Sequence, residues 1–89
     1  MATLFVRHTV QDYAAWRKIY DQFDATRRGM GVTSDGVYQL DGNPNDLTIY
    51  HEFNSMDAAK AFAASNELRE AMGSAGVTGA PDIWFTQRA

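Results

Sequence analysis

The chain has 89 residues, 45% of them hydrophobic and 21% charged, with a formal net charge of -3. These values describe one small folded domain over residues 1–89 and not a disordered segment. The acidic balance excludes the basic face that a nucleic-acid backbone needs, and the lack of cysteine excludes disulfides, a thiolate nucleophile and zinc–thiolate sites.

The first residues, Met1-Ala2-Thr3-Leu4-Phe5-Val6-Arg7, have no basic region followed by a long apolar stretch, which argues against a signal peptide. No apolar run approaches the roughly 20 residues of a membrane span. A cytoplasmic protein without membrane contact is expected.

Residues 3–10 read as a strand in which Leu4, Val6, His8 and Val10 share one face and Phe5, Arg7 and Thr9 the other. Asp12 suits the N-cap of a helix over residues 13–28, whose spacing puts Trp16, Ile19, Tyr20 and Phe23 on one stripe. Met30 continues that stripe. Gly29 and Gly31 suit a C-cap and turn, and Arg27-Arg28 suits the negative end of the helix dipole. A second strand includes Val37, Tyr38, Gln39 and Leu40, and residues 41–46 read as a hairpin loop rich in turn formers.

The third strand, residues 47–53, alternates Leu47, Ile49, His51 and Phe53 with Thr48, Tyr50 and Glu52. Asn54 or Ser55 caps a helical region over residues 56–75, and Ser65-Asn66-Glu67-Leu68 signals a second cap that splits it in two. Gly73, Gly76 and Gly79 suggest an ordinary connection or a mobile lid before a last strand at residues 83–87.

The order βαββαβ predicts a ferredoxin-like α+β fold: a four-stranded antiparallel sheet ordered 4-1-3-2, with the helices on one face. His8 and His51 then face the helices. A register with His8 opposite Ile49 makes them diagonal neighbours, about 7–8 Å apart. The other face carries Phe5, Tyr50 and either Trp84 or Phe85. Helices cover only one face of a sheet, so an aromatic second face predicts a homodimer with the sheets packed together. Arg7 and Glu52 share that face. An interface ion pair, or an Arg7 clamp on a substrate carboxylate, are the roles open to them.

Three stretches carry a family resemblance: Leu4-Phe5-Val6-Arg7-His8, Asp12-Tyr13-Ala14-Ala15-Trp16, and residues 61–72 with the following Gly76-Val77. Together with residues 46–53 they resemble the dimeric α/β-barrel superfamily, in particular small antibiotic-biosynthesis-monooxygenase-like proteins of unassigned activity. The resemblance implies a cofactor-independent monooxygenase, or a related isomerase or cyclase, on a small aromatic or polyketide-type molecule. A non-catalytic small-molecule-binding or stress-related homodimer is the alternative. The haem-degrading branch is not implied, because Phe62 and Met72 stand where it has tryptophan and histidine, and the first strand has no asparagine. No cofactor is expected.

His8 and His51 are the candidate catalytic residues: one neutral imidazole could take a proton from a phenol or enol as a base with a pKa near working pH. The plainer reading, which two lone histidines favour, is of core-edge histidines bonded to a backbone carbonyl or a Tyr hydroxyl. Trp16, Tyr20, Phe23, Phe62 and Met72 are the candidate ligand-binding residues; the same spacing also describes core. Two histidines without a carboxylate on their face make a weak metal site, and none is expected.

Overall fold

A computed structural model describes all residues, Met1–Ala89. The elements are β1 (Ala2–Val10), α1 (Tyr13–Gln22), α2 (Asp24–Gly29), β2 (Val32–Leu40), β3 (Asn43–Phe53), α3 (Met56–Ala63), α4 (Asn66–Ser74) and β4 (Val77–Gln87). They build one antiparallel sheet in the order β2-β3-β1-β4, with the four helices on one face, a ferredoxin-like α+β fold. No helix is long and apolar enough to cross a membrane.

Three helix starts are fixed by the side chains expected to cap them. The Asp12 carboxylate accepts the Ala15 N–H at 3.0 Å, Ser55 Oγ accepts the Ala58 N–H at 3.1 Å, and Ser65 Oγ accepts the Leu68 N–H at 3.1 Å. Ser65 also donates to the Phe62 carbonyl at 2.7 Å, so one hydroxyl closes α3 and opens α4.

The structure corrects several boundaries. Residues 13–28 form two helices, because the Phe23 N–H is shared between the Ile19 and Tyr20 carbonyls, which tightens the turn and redirects the chain. The expected six-residue loop is a two-residue turn at Asp41-Gly42 with Gly42 at φ +85°. The Asn43 side chain takes the Asn45 N–H at 3.1 Å in that hairpin, and ladder pairing resumes at Asn43. The glycine-rich stretch before Pro81 holds an ordinary connection, shorter than expected: the two residues Ala75-Gly76 between α4 and β4. Gly73 belongs to α4, Gly76 at φ +77° turns the chain just before β4, and Gly79 at φ +70° lies within β4, in a register shift opposite His8. Pro81 is tolerated because β4 is an edge strand.

The helix-facing parity is buried as expected. Leu4, Leu47, Phe53 and Phe62 lose essentially all contact with solvent, each contributing about 1.5–3 kcal/mol. The core divides into two clusters: Leu4, Val6, Phe53 and Phe62 with α3 at one end of the sheet, and Val10, Trp16, Tyr20, Leu47 and Ile49 with α1 at the other.

The open face carries an aromatic band across all four strands. Phe5 stacks on Trp84 at 5.6 Å, and Tyr38 stacks near Tyr50 at 6.3 Å. Trp84, not Phe85, belongs to this band, since Trp84 pairs with Phe5 and Phe85 with Leu4. Tyr50 lies over Gly36, where an added Cβ would come within 2.3 Å of its ring. Arg7 pairs with Asp46 at 3.0 Å and not with Glu52: β3 begins earlier than expected and brings Asp46 alongside, whereas Glu52 sits opposite Thr3.

Candidate active site

The seam between the two core clusters is not filled. It holds a cleft of about 40 Å³ lined by His8, Trp16, Tyr20, Phe23, His51, Phe62 and Met72, the seven side chains singled out from the sequence. Val6 and Ile49 floor it between the histidines. Leu68, Ala71 and Met72 of α4 form one wall.

The register separates the histidines more than expected. His8 lies opposite Leu47 and His51 opposite Leu4, so they are not diagonal neighbours. Four residues of strand put them about 13 Å apart along the sheet, at the two ends of the cleft. A line of rings joins them: His8 to Trp16 at 5.9 Å, Trp16 to Tyr20 at 4.7 Å, Tyr20 to His51 at 6.1 Å, and His51 to Phe62 at 5.2 Å.

Arg27 is the lining residue that the sequence reading missed. It is 3% exposed and its guanidinium stacks over the Tyr20 ring at 3.7 Å, instead of serving only the helix dipole. The signal was available: Arg27 extends the Trp16, Tyr20, Phe23 stripe by one more helical step. Its terminal nitrogens bind Asp24 at 3.0 Å and Asp35 at 3.4 Å. Arg28 adds a contact to Asp35 at 2.9 Å, and the Tyr20 hydroxyl donates to the same carboxylate. Asp35 comes from β2, directly across from His51, and was missed because an aspartate between Ser34 and Gly36 carries no local signal of a buried partner.

Four buried side-chain nitrogens have no hydrogen-bond partner: His8 Nδ1, His51 Nδ1, His51 Nε2 and Arg27 Nε. All four belong to residues that line this one cleft. The reading of His51 as a core histidine bonded to a carbonyl or tyrosine is therefore wrong, since neither of its ring nitrogens has a protein partner. Each such orphan costs about 1–3 kcal/mol, so collecting them in one apolar space is a standing expense of the fold.

Burial, reinforced by the nearby Arg27 charge, pushes the His51 imidazole down to about 4. It is neutral at physiological pH and is not poised near working pH, contrary to the sequence expectation. Burial also lowers His8. Burial opposes ionisation of Asp35, but the Tyr20 hydrogen bond and the two arginine charges outweigh it and hold the carboxyl below its usual range. Tyr20 is raised, chiefly by burial and then by its bond to Asp35. No three His, Asp or Glu side chains come together in a way that could hold a metal ion.

No protein-family profile matches the sequence, and no curated protein matches it. Solved structures do. A candidate antibiotic biosynthesis monooxygenase from Bordetella bronchiseptica superposes with a TM-score of 0.83 at 14% identity, covering 99% of this chain and 96% of that one. SnoaB, a cofactor-independent oxygenase from Streptomyces nogalater, gives 0.75 at 14% identity, covering 99% and 94%. A conserved protein from Methanosarcina mazei Go1 gives 0.77 at 17% identity, covering 99% and 92%. From end to end, this chain has the fold of the small antibiotic-biosynthesis-monooxygenase-like proteins.

Proposed function

We propose that this protein is a cofactor-independent oxygenase-type enzyme acting on a small aromatic or polyketide-type molecule in the cleft between helices and sheet. One observation carries the reading: every buried unpartnered side-chain nitrogen converges on one largely apolar cleft. In such a site an electron-rich phenol, once deprotonated, gives an electron to dioxygen directly. Recombination places both oxygen atoms on a ring carbon. One oxygen stays as the new carbonyl, and the other leaves as water with the two hydrogens lost from the substrate. His51 is the proton acceptor in this scheme and Arg27 steadies the anion; Trp16, Tyr20, Phe23 and Phe62 hold the ring, and His8 meets its far end.

The cleft is narrow. Its 40 Å³ compares with about 150 Å³ for a cavity that admits benzene, so a ring-sized ligand needs a wall to yield. α4 is that wall, since none of its residues is fully buried and surface clefts flank it on both sides.

The functional unit in this reading is a homodimer joined through the aromatic face. Trp84 and Tyr38 are 42% and 63% exposed there, too much apolar surface for a face meant for water.

Oxygen uptake with an activated hydroquinone tests the enzyme. Replacing His51 or His8 singly by Gln is expected to cut turnover by about 10²–10⁴-fold for the residue acting as base, with the fold intact. Unchanged turnover in both variants ends the histidine-base reading. The non-catalytic alternative has one observation in its favour, the weak basicity of His51. It predicts ligand binding with no oxygen uptake.

A further inference from the structure

The charges around His51 restrict what the cleft can accept. Asp35 faces it from β2, Tyr20 from α1, and Arg27 and Arg28 from α2. β1 places Leu4 across from it and α3 contributes Phe62, while α4 brings only Leu68, Ala71 and Met72 to the cleft. Arg27 and Arg28 are matched by Asp24 and Asp35, so this group of four has no spare charge. Arg27 nevertheless keeps one donor, Nε, buried and unpartnered. A donor with no acceptor asks for an oxygen. A cluster with no net charge cannot balance an anion unless a proton arrives with it. Tyr20 already carries its proton and gives it to Asp35 in a hydrogen bond, and Asp35 is occupied by two arginines. The neutral His51 ring, with both nitrogens free, is the group in this cluster that can receive one.

We propose that the cleft selects flat organic monoacids, taking up the anion together with one proton, with the charged oxygen held by Arg27 Nε and the proton placed on His51. This deepens the reading of the cleft as a ligand site and rests on it. The balance is simple: the anion comes from solution, the proton comes from the buffer, and a neutral pair of imidazolium and oxyanion forms in the cleft. Carboxylic acids and enols flanked by carbonyls share this chemistry. A phenol would arrive uncharged and hand its own proton to His51, with no proton taken from the buffer.

Calorimetric titration of the whole protein tests this, with benzoate as the probe and benzyl alcohol as the uncharged ligand of like size. At pH 7, in two buffers of different ionisation enthalpy, benzoate is expected to bind with uptake of close to one proton. It is expected to bind about 10- to 100-fold more tightly than benzyl alcohol, the range of a charge-assisted hydrogen bond. His51→Gln is expected to abolish the proton uptake, and Arg27→Gln to weaken benzoate while leaving benzyl alcohol unchanged. The wild-type buffer comparison stands even if the Arg27 variant does not fold. Equal affinity for the two probes, or no proton uptake by the wild type, overturns the monoacid proposal and leaves the cleft as a ligand site. Uptake that survives in His51→Gln and disappears in His8→Gln overturns the assignment to His51. Binding of neither probe removes the ligand site itself.

Discussion

The two faces of the sheet invert the usual rule in opposite ways. The helix-covered face hides polar groups that have no partners, at His8, His51 and Arg27. The bare face shows large rings, at Trp84, Tyr38 and their neighbours Phe5 and Tyr50. A fold under selection for stability alone would do neither. Unsatisfied polarity inside suits a small molecule, whereas unsatisfied apolarity outside suits a macromolecular surface, in our proposal a second copy of the chain. β1 and β3 present both, His8 and His51 on one side and Phe5 and Tyr50 on the other, because alternate residues point to opposite sides.

That contrast can be broken at several points. Trp84→Lys, which puts a charge in the centre of the proposed interface, is expected to weaken dimerisation by about a thousandfold. Sedimentation at micromolar concentration reads it, and a wild-type monomer under those conditions would remove the outer half of the comparison. Phe62→Ala, at the junction of core and cleft, is expected to cost about 3–5 kcal/mol in denaturant unfolding.

Acid should act from inside. The unfolded chain protonates histidine near 6.5, but folded His51 does so only near about 4. The unfolded state therefore binds the extra proton in that window, and stability should fall by about 3 kcal/mol as pH drops from 6.5 to 4. His51→Leu should flatten this slope. At neutral pH the same substitution should raise stability by about 1–3 kcal/mol, by removing two unsatisfied nitrogens. A His51→Leu protein that is less stable than wild type would mean that the imidazole is well accommodated and the cleft holds no unmet demand.

The sequence reading succeeded where a local rule decides. Period-two alternation assigned faces to β1 and β3, and serine at 65 marked the split between α3 and α4. It failed where a tertiary contact overrides the local rule. Arg27 looks like an ordinary C-terminal helix cation until α2 turns and lays it over Tyr20. Asp35, in a run of small polar residues, looks like an ordinary exposed carboxylate until Tyr20 and two arginines converge on it. The histidine spacing failed for a different reason. Parity places a side chain on a face, but a slip of two residues along the strand preserves parity and moves His51 from opposite Val6 to opposite Leu4.

α4 has a kinetic consequence. Helix propensity alone does not hold nine residues in water, and α4 has no fully buried side chain to anchor it, yet it closes a cleft too small for a ring. If the cleft takes a ring, as we propose, entry waits for the helix to lift. Association rates should level off as ligand concentration rises, and the plateau should be the same for a good ligand and a poor one, because it reports how often the helix opens and not what is waiting outside. Selectivity among ligands would appear only in how long each stays.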